Sequence, residues 1–490
     1  MRTLRVAFRA CLAAGLCAIL AACADNSGPS VDIDVIGTPA DPFEGGVRLS
    51  VAGQLVRAAT AEGLVGLDAQ GQVIPALADR WIVTDDGLSY IFRLRDGTWP
   101  DGTAITGESA RVALRTALAG LAGTGLALDL VPIAEVRAMA GRVVELRLSR
   151  PAPDLLQLLA QPELGLLHEG AGGGPMALRR EGAVALLAPI PPDRLGLPQS
   201  EDWSAGQRSL RLQALPAHLA TARFAEGKVD IVLGGRFENL PLGQAVAGIA
   251  RRPLRLDPAP GLFGLAVVTA RGWLALPECR EAMAMAIDRD GLGAALGLSA
   301  WTGTTLVVPP PPGSPPGERW ADRTLAQRRA EAATRMARCK SGSGDPGPLR
   351  LALPDGPGAD ALHARLAQDL AAVGVSLARV PPRAAGDLRL VDAVARYARP
   401  EWYLHQLGCA TQRGQCSTAA DARLAEAGAA SDPARAAQSL AEATAALTAA
   451  NVYIPLGTPI RWSLARDRVD GFMPNAAAFH PLPEMARRRL

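Results

Sequence analysis

Asp85-Asp-Gly-Leu-Ser-Tyr-Ile-Phe-Arg-Leu-Arg-Asp-Gly97 is the stretch on which the fold turns. Asp85-Asp86-Gly87 makes a tight turn of hairpin type, and the residues after it alternate with the period of a strand, Tyr90 and Phe92 on one face, Ile91 and Arg93 on the other. Working backward, Trp81-Ile-Val is the partner strand, Ala76-Leu-Ala-Asp79 reads as a short helical turn, and Asp68-Ala-Gln-Gly71 as a further turn. Working forward, residues 106–119 read as a helix with Thr106 or Ser109 as its cap, and residues 142–148 as another half-buried strand stopped by Arg150-Pro151. Trp81, Tyr90, Phe92 and Trp99 sit on this alternation as core residues.

Further out the same reading continues. Residues 31–36 alternate as a strand, residues 153–167 form a Leu-rich helix, and Gly172-Gly173-Gly174-Pro175 is a loop. Residues 217–227 are helical and feed the strand 229–233. Residues 255–269 are strand-like but interrupted by Pro258, Pro260 and Gly261, and residues 277–296 read as one helix. Residues 307–317, with four consecutive prolines, read as a stiff surface segment. Helix 324–339, strand 349–354, helix 360–373 and strand 375–380 imply a right-handed crossover in an α/β lobe. Residues 432–450 are the final amphipathic helix.

The chain has 490 residues, more than one core needs, with 49% apolar and 20% charged residues. Only Lys228 and Lys340 are lysines, so its positive charge is nearly all Arg. Arg2, Arg5 and Arg9 precede a short apolar stretch that ends in Leu20-Ala21-Ala22-Cys23. This reads as a signal peptide over residues 1–22, and its end resembles the bacterial lipoprotein cleavage box, with Cys23 as the lipidated N-terminus and residues 23–30 as a tether. Cleavage removes three Arg and no acid from a formal charge of +3, leaving a neutral body with no electrostatic reason to bind nucleic acid. Cys279, Cys339, Cys409 and Cys416 then remain. Cys409 and Cys416 bracket a six-residue loop suited to a disulfide, which leaves Cys279 for Cys339. A zinc site is the rival, without knuckle spacing or an accompanying His pair.

The quoted block, with Glu62-Gly-Leu-Val-Gly-Leu-Asp68, Pro75-Ala-Leu-Ala-Asp-Arg-Trp81 and Asp101-Gly-Thr103, resembles the extracellular solute-binding proteins, family 5, of peptide, nickel and related ABC importers. Further likenesses follow in order: the Gly-Pro loop at 172–176, Glu226-Gly-Lys-Val-Asp230, Arg280-Glu-Ala with Ala286-Ile-Asp-Arg289, Asn451-Val-Tyr-Ile-Pro-Leu456, and Val469-Asp-Gly471. The resemblance implies an α/β, two-lobed clamshell of the type II kind. Lobe I would hold residues 31–258, with an extra subdomain at about 55–168. Lobe II would hold 259–456, and residues 457–490 would return to lobe I. Asp288 and Arg289 read as a capping or ion-pair device rather than a site.

The resemblance further implies a monomer on the periplasmic side of the envelope that binds an oligopeptide or related small solute, meets an ABC permease, and uses no cofactor or catalysis. In peptide binders of this family a Trp and an Asp follow the strand that begins here at Asp387-Leu388, and the Asp pairs with the peptide ammonium. Here Ala398 and Arg399 stand nearest that position, with Asp392 and Glu401 as possible substitutes, while Arg396 and Arg399 are suited to an anion. Tyr397, Trp402 and Trp301 are candidate stacking surfaces, and Asp41 and Phe43 lie in an early loop that reaches the ligand in family members. The five His are scattered with no i, i+4 pair, so no metal site is expected. No phosphate loop or nucleophile elbow is present, which excludes the importer's ATPase and the common serine hydrolases. The alternative is a degenerate binding protein acting as an envelope sensor or interaction protein.

Overall fold

The computed structural model describes residues 30–249, 253–310 and 317–488. The signal segment, Cys23 and most of the proline-rich stretch lie outside these residues. Among the described residues, no helix is long and apolar enough to cross a membrane.

Apolar alternation in Val31–Ile36 places that strand at the centre of a seven-stranded sheet. It runs parallel to Leu210–Leu215 and Ile231–Arg236, with antiparallel strands at both flanks, including Arg461–Ala465 from the C-terminal end of the chain. Val31, Ile33 and Val35 pack into a core with Leu55 and Val56 of the helix Val51–Thr60. The opposite face holds Asp34, buried but hydrogen-bonded by Gln213 at 2.8 Å and Arg223 at 2.9 Å, as a buried carboxylate requires.

The block that decides the fold forms an antiparallel four-stranded sheet in the order Ala78–Val83, Ser89–Leu94, Val143–Leu148, Ile133–Ala138. Tyr90, Phe92 and Leu94 point into its core. The turn works as expected: Gly87 has φ +67°, and Asp86 Oδ1 accepts from the Leu88 amide at 2.9 Å. Helix Gly107–Gly120 starts with both cap candidates in use. Thr106 Oγ1 accepts from the Ser109 amide and Ser109 Oγ from the Thr106 amide, a reciprocal cap that stabilises the helix start by about 1 kcal/mol.

A second major sheet carries five strands in the order Leu377–Val380, Leu349–Ala352, Leu388–Val394, Gly261–Val267, Tyr453–Gly457. The first three are parallel, and helix Pro357–Ala371 connects Leu349–Ala352 to Leu377–Val380 as the expected crossover. The chain passes between the two large sheets at residues 257–260 and again at 458–460. The molecule is thus a two-lobed α/β protein. Cys279–Cys339 ties helix Pro277–Ala286 to helix Leu325–Ser343, and Cys409–Cys416 closes its short loop.

Three local expectations fail for physical reasons. Residues 76–79 bend into the strand Ala78–Val83 instead of a helical turn, because the Ala78 and Arg95 amides bond to Leu64 and Leu77 carbonyls across the sheet. The Leu-rich helix stops at Leu159, since Pro162 starts a separate short turn and Gly165 passes so near Ala61 that a Cβ would meet its carbonyl at 2.5 Å. Residues 277–296 split into Pro277–Ala286 and Arg289–Ala295. Asp288 Oδ1 caps the second helix at the Gly291 amide, and the Asp288 amide itself bonds to Asp369.

Candidate functional site

The two lobes meet along a seam. Helix Gly125–Asp129 of the subdomain packs on helix Pro400–Leu407 of the second lobe, and one apolar core joins Leu126 and Leu130 to Trp402 and Leu404. Polar contacts cross the same seam: Tyr397 Oη donates to Asp129 at 3.0 Å, Arg399 Nε lies 3.3 Å from Asp154, and Arg396 lies 3.7 Å from Glu163.

Behind this seam lies a cavity of about 450 Å³. One wall comes from the first lobe: the N-terminal end of helix Val51–Thr60, Gln161 and Glu163, and the strand ends at Arg236 and Trp462. The other comes from the second lobe: the end of strand Leu388–Val394 through Arg396, then Trp402, Gln406 and Arg413. A cavity walled by both lobes at strand ends is of ordinary size for a small-molecule site.

Its electrostatics divide into two groups. Asp392 accepts from Arg236 at 2.8 Å and from Arg461 at 2.8 Å, and Glu238 lies 3.7 Å from Arg236, so these wall cations have acids of the protein beside them. Burial works against the Arg461 cation and lowers its pKa, with Asp392 offsetting only part of that cost. Asp257 is taken by the Asn475 amide at 3.0 Å and by His480 at 3.3 Å. The second group is less complete. Glu163 accepts from Gln54 at 3.3 Å through one oxygen and leaves Oε2 buried without a partner. Trp402 Nε1 and Gln406 Nε2 are also buried and without partners.

Of the seven residues singled out as ligand contacts, Arg396 and Trp402 line the cavity. The other five lie elsewhere. Asp41 folds back on Thr38, accepting from its amide at 3.0 Å. Phe43 packs beside the first sheet under the Arg180 guanidinium, 4.1 Å from its ring centre. Trp301 donates to the Thr458 carbonyl at 2.9 Å and meets Phe263 edge-on, bracing a crossing between lobes. Tyr397 and Arg399 belong to the seam. The two possible substitutes for the ammonium-binding Asp are both engaged, Asp392 by Arg236 and Arg461, and Glu401 by Arg399 at 2.8 Å.

Sequence reasoning missed Glu163, Gln406 and Arg413. Arg413 had a visible signal, since it is the one charged residue inside the loop bracketed by Cys409 and Cys416. Glu163 had none, because it sits in what read as the face of a Leu-rich helix.

The sequence profile of the bacterial extracellular solute-binding proteins, family 5 (middle segment), matches residues 72–185. The probable deoxycholate-binding periplasmic protein YgiS of Escherichia coli K12 is 34% identical over 125 residues, which is 21% of this chain and 23% of that protein. The sequence match therefore spans under a quarter of that relative's length. In structure the likeness is far longer. Haemophilus influenzae OppA in complex with the peptide RPPGFSPFR superposes with a TM-score of 0.76 at 15% identity, covering 94% of this chain and 99% of the other. The Escherichia coli murein tripeptide binding protein MppA gives 0.76 at 18% identity with the same coverage, whereas the unliganded open form of MppA gives 0.64 at 17% identity, covering 94% and 97%. The chain is similar in sequence to the bacterial extracellular solute-binding proteins of family 5 over residues 72–185, and similar in fold to OppA and MppA over nearly all of its length.

Proposed function

We propose that this protein is the substrate-binding component of an ABC importer, capturing an oligopeptide or related small solute between its lobes and delivering it to a permease. The observation that carries this reading is the cavity itself. It takes walls from both lobes, so closure buries whatever it holds, and it retains buried polar groups without a hydrogen-bond partner among the described residues. Such groups are costly unless a bound molecule or water completes them. A solute that touches both walls binds the closed arrangement more tightly than the open one, and that difference is what drives closure.

Two chain crossings, at 257–260 and 458–460, are the hinge in this reading, with Pro258, Pro260 and Pro459 confining rotation to a few bonds. The processed protein is a monomer tethered through lipid on Cys23 at the periplasmic side of the envelope, and it performs no catalysis. The deoxycholate of one relative's name and the peptides of the structural relatives set the range of solutes to try first. The test is a thermal-shift and calorimetric screen of the purified protein with peptides, bile acids, sugars and metal chelates. A specific ligand raises the melting temperature by mass action. Absence of a shift with every class defeats transport and leaves the envelope interaction protein.

A further inference from the structure

We propose that the solute is an anion, held by a carboxylate or like oxyanion against a pole formed by Trp402, Gln406, Arg413 and Arg396 in the second lobe. This rests on reading the cavity as the solute site and names the chemistry of its occupant.

Trp402 and Gln406 stand one turn apart on helix Pro400–Leu407, both line the cavity, and both are almost wholly buried, at 1% and 2% exposure. Each ends in an N–H group that has no acceptor among the described residues. Arg413 donates to Gln406 Oε1 at 3.1 Å, which fixes the amide with its NH₂ group free. No carboxylate pairs with Arg413 among the described residues. Burial disfavours its charge, and the neighbouring Arg396 cation disfavours it further. The guanidinium is held in place nonetheless. Cys409–Cys416 closes the loop that carries it, and Gly414, at φ +151°, lies so close to Val267 that a Cβ would meet its carbonyl at 2.5 Å.

Of the two guanidinium groups here, only Arg396 has a carboxylate near it, Glu163 at 3.7 Å, while the wall cations Arg236 and Arg461 are matched by Asp392 and Glu238. Donors at this pole outnumber acceptors, and positive charge exceeds negative. An oxyanion supplies both what the N–H groups and what the charge lack. A peptide ammonium does neither. Glu163 Oε2, the buried acceptor left over, takes one hydroxyl or amide N–H from the same solute. The first lobe closes the pole from outside at Gly125, where a Cβ would come within 2.7 Å of Gln406 Oε1.

Matched pairs test this on the full processed protein by calorimetry: trialanine and its C-terminal amide, deoxycholate and its primary amide, glutarate and glutaramide, with raffinose as a neutral solute. The acid of at least one pair should bind at least 100-fold more tightly than its amide. Arg413→Gln should weaken that acid 10- to 100-fold while leaving the unliganded melting temperature unchanged or higher, because an uncompensated buried cation has been removed. Neutral or amide compounds binding as well as acids, or an unaltered affinity in Arg413→Gln, would overturn the anion while leaving the solute-binding reading intact. So would a fall of several degrees in the unliganded variant, which would make Arg413 a structural group. No binding by any compound removes the solute-binding reading and this proposal with it.

Discussion

Tyr397 Oη donates to Asp129 Oδ1 at 3.0 Å, joining the turn after strand Leu388–Val394 to the end of helix Gly125–Asp129 across the seam between the lobes. His405 Nδ1 lies 2.9 Å from the same oxygen, and Asp129 Oδ2 has no partner. Burial first, and then the Asp129 charge, push the Tyr397 phenol pKa far up, so it stays a donor at every pH the protein meets. This contact exists only when the lobes are together. In the proposed capture mechanism it is a latch beside the cavity, since neither residue is part of the cavity wall.

Tyr397→Phe removes the donor and leaves Asp129 buried with one partner fewer. A hydrogen bond to a charged acceptor contributes roughly 2 kcal/mol, so the closed fraction should fall by about 30-fold relative to the open one. Small-angle scattering of the unliganded variant should give a larger radius of gyration than wild type, and solute affinity should drop correspondingly. Equal scattering and equal affinity would show that the latch contributes nothing to closure.

The two disulfides should differ in what their loss costs. Cys279–Cys339 spans 60 residues and links two helices of the second lobe, whereas Cys409–Cys416 spans seven. On loop-closure entropy the first contributes about 4 kcal/mol and the second between about 2 and 3. Denaturant unfolding of Cys279→Ser/Cys339→Ser should therefore show the greater loss of stability. The Cys409→Ser/Cys416→Ser variant should lose less stability but more affinity, because its loop carries Arg413. The reverse order would contradict this division.

Acid should act through Asp387. Its carboxylate is fully buried, and burial alone would raise its pKa. Hydrogen bonds from Arg271 at 2.8 Å, from the Arg350 side chain and amide, and from Thr269 at 2.9 Å win instead, holding it far below the usual carboxylate range. A carboxylate depressed on folding stabilises the protein above its unfolded pKa of about 4, and that contribution is lost as pH falls from there toward the folded value. The arginines are about two-fifths exposed, so solvent screening trims the effect. Asp387→Asn should cost about 3 kcal/mol at pH 7, the low end for removing one partner of a buried pair once screening is allowed for, and flatten the fall in stability below pH 4 in urea titrations. An unchanged acid limb would refute the assignment.

Much of the scaffold was legible because its signals are local. The alternation at Tyr90 and Phe92, the Asp86-Gly87 turn and the Thr106 cap each act within a few residues, and each formed. The same holds for the spacing of Cys409 and Cys416. Failures came where a distant group decided the outcome: Asp369 captures the Asp288 amide and Ala61 crowds Gly165, and neither contact has a trace in nearby sequence. The site was harder still. Trp402 and Arg396, which line the cavity, could be picked out because a family strand leads to them. Glu163 and Gln406 come from segments more than two hundred residues apart and acquire meaning only when the lobes face each other. Asp41 and Trp301 show the converse, since a polar or aromatic residue near a cleft is as easily used to hold a loop or a crossing.

Gly235, in the cavity wall beside Trp462, offers a way to perturb the shape of the site. A Cβ there would lie 2.2 Å from the Trp462 ring and 2.5 Å from its carbonyl, closer than real contacts allow. Trp462 is fixed in turn: its indole donates to the Arg236 carbonyl at 2.8 Å, and Gly243 leaves it room on another side. The glycine is therefore required by the close approach of the ring. Gly235→Ala must shift Trp462, which lines the cavity, and overpacking of this kind costs roughly 1–3 kcal/mol. The variant should melt at a lower temperature, show a changed tryptophan emission spectrum, and bind solute more weakly. Gly248→Ala, in helix Leu240–Ile249, is the matched control, because a Cβ there meets nothing within 4 Å. It should be neutral or stabilise the protein by about 0.5–1 kcal/mol through helix propensity alone. If both variants melt alike and bind alike, the packing of Trp462 against Gly235 has no bearing on the shape of the site.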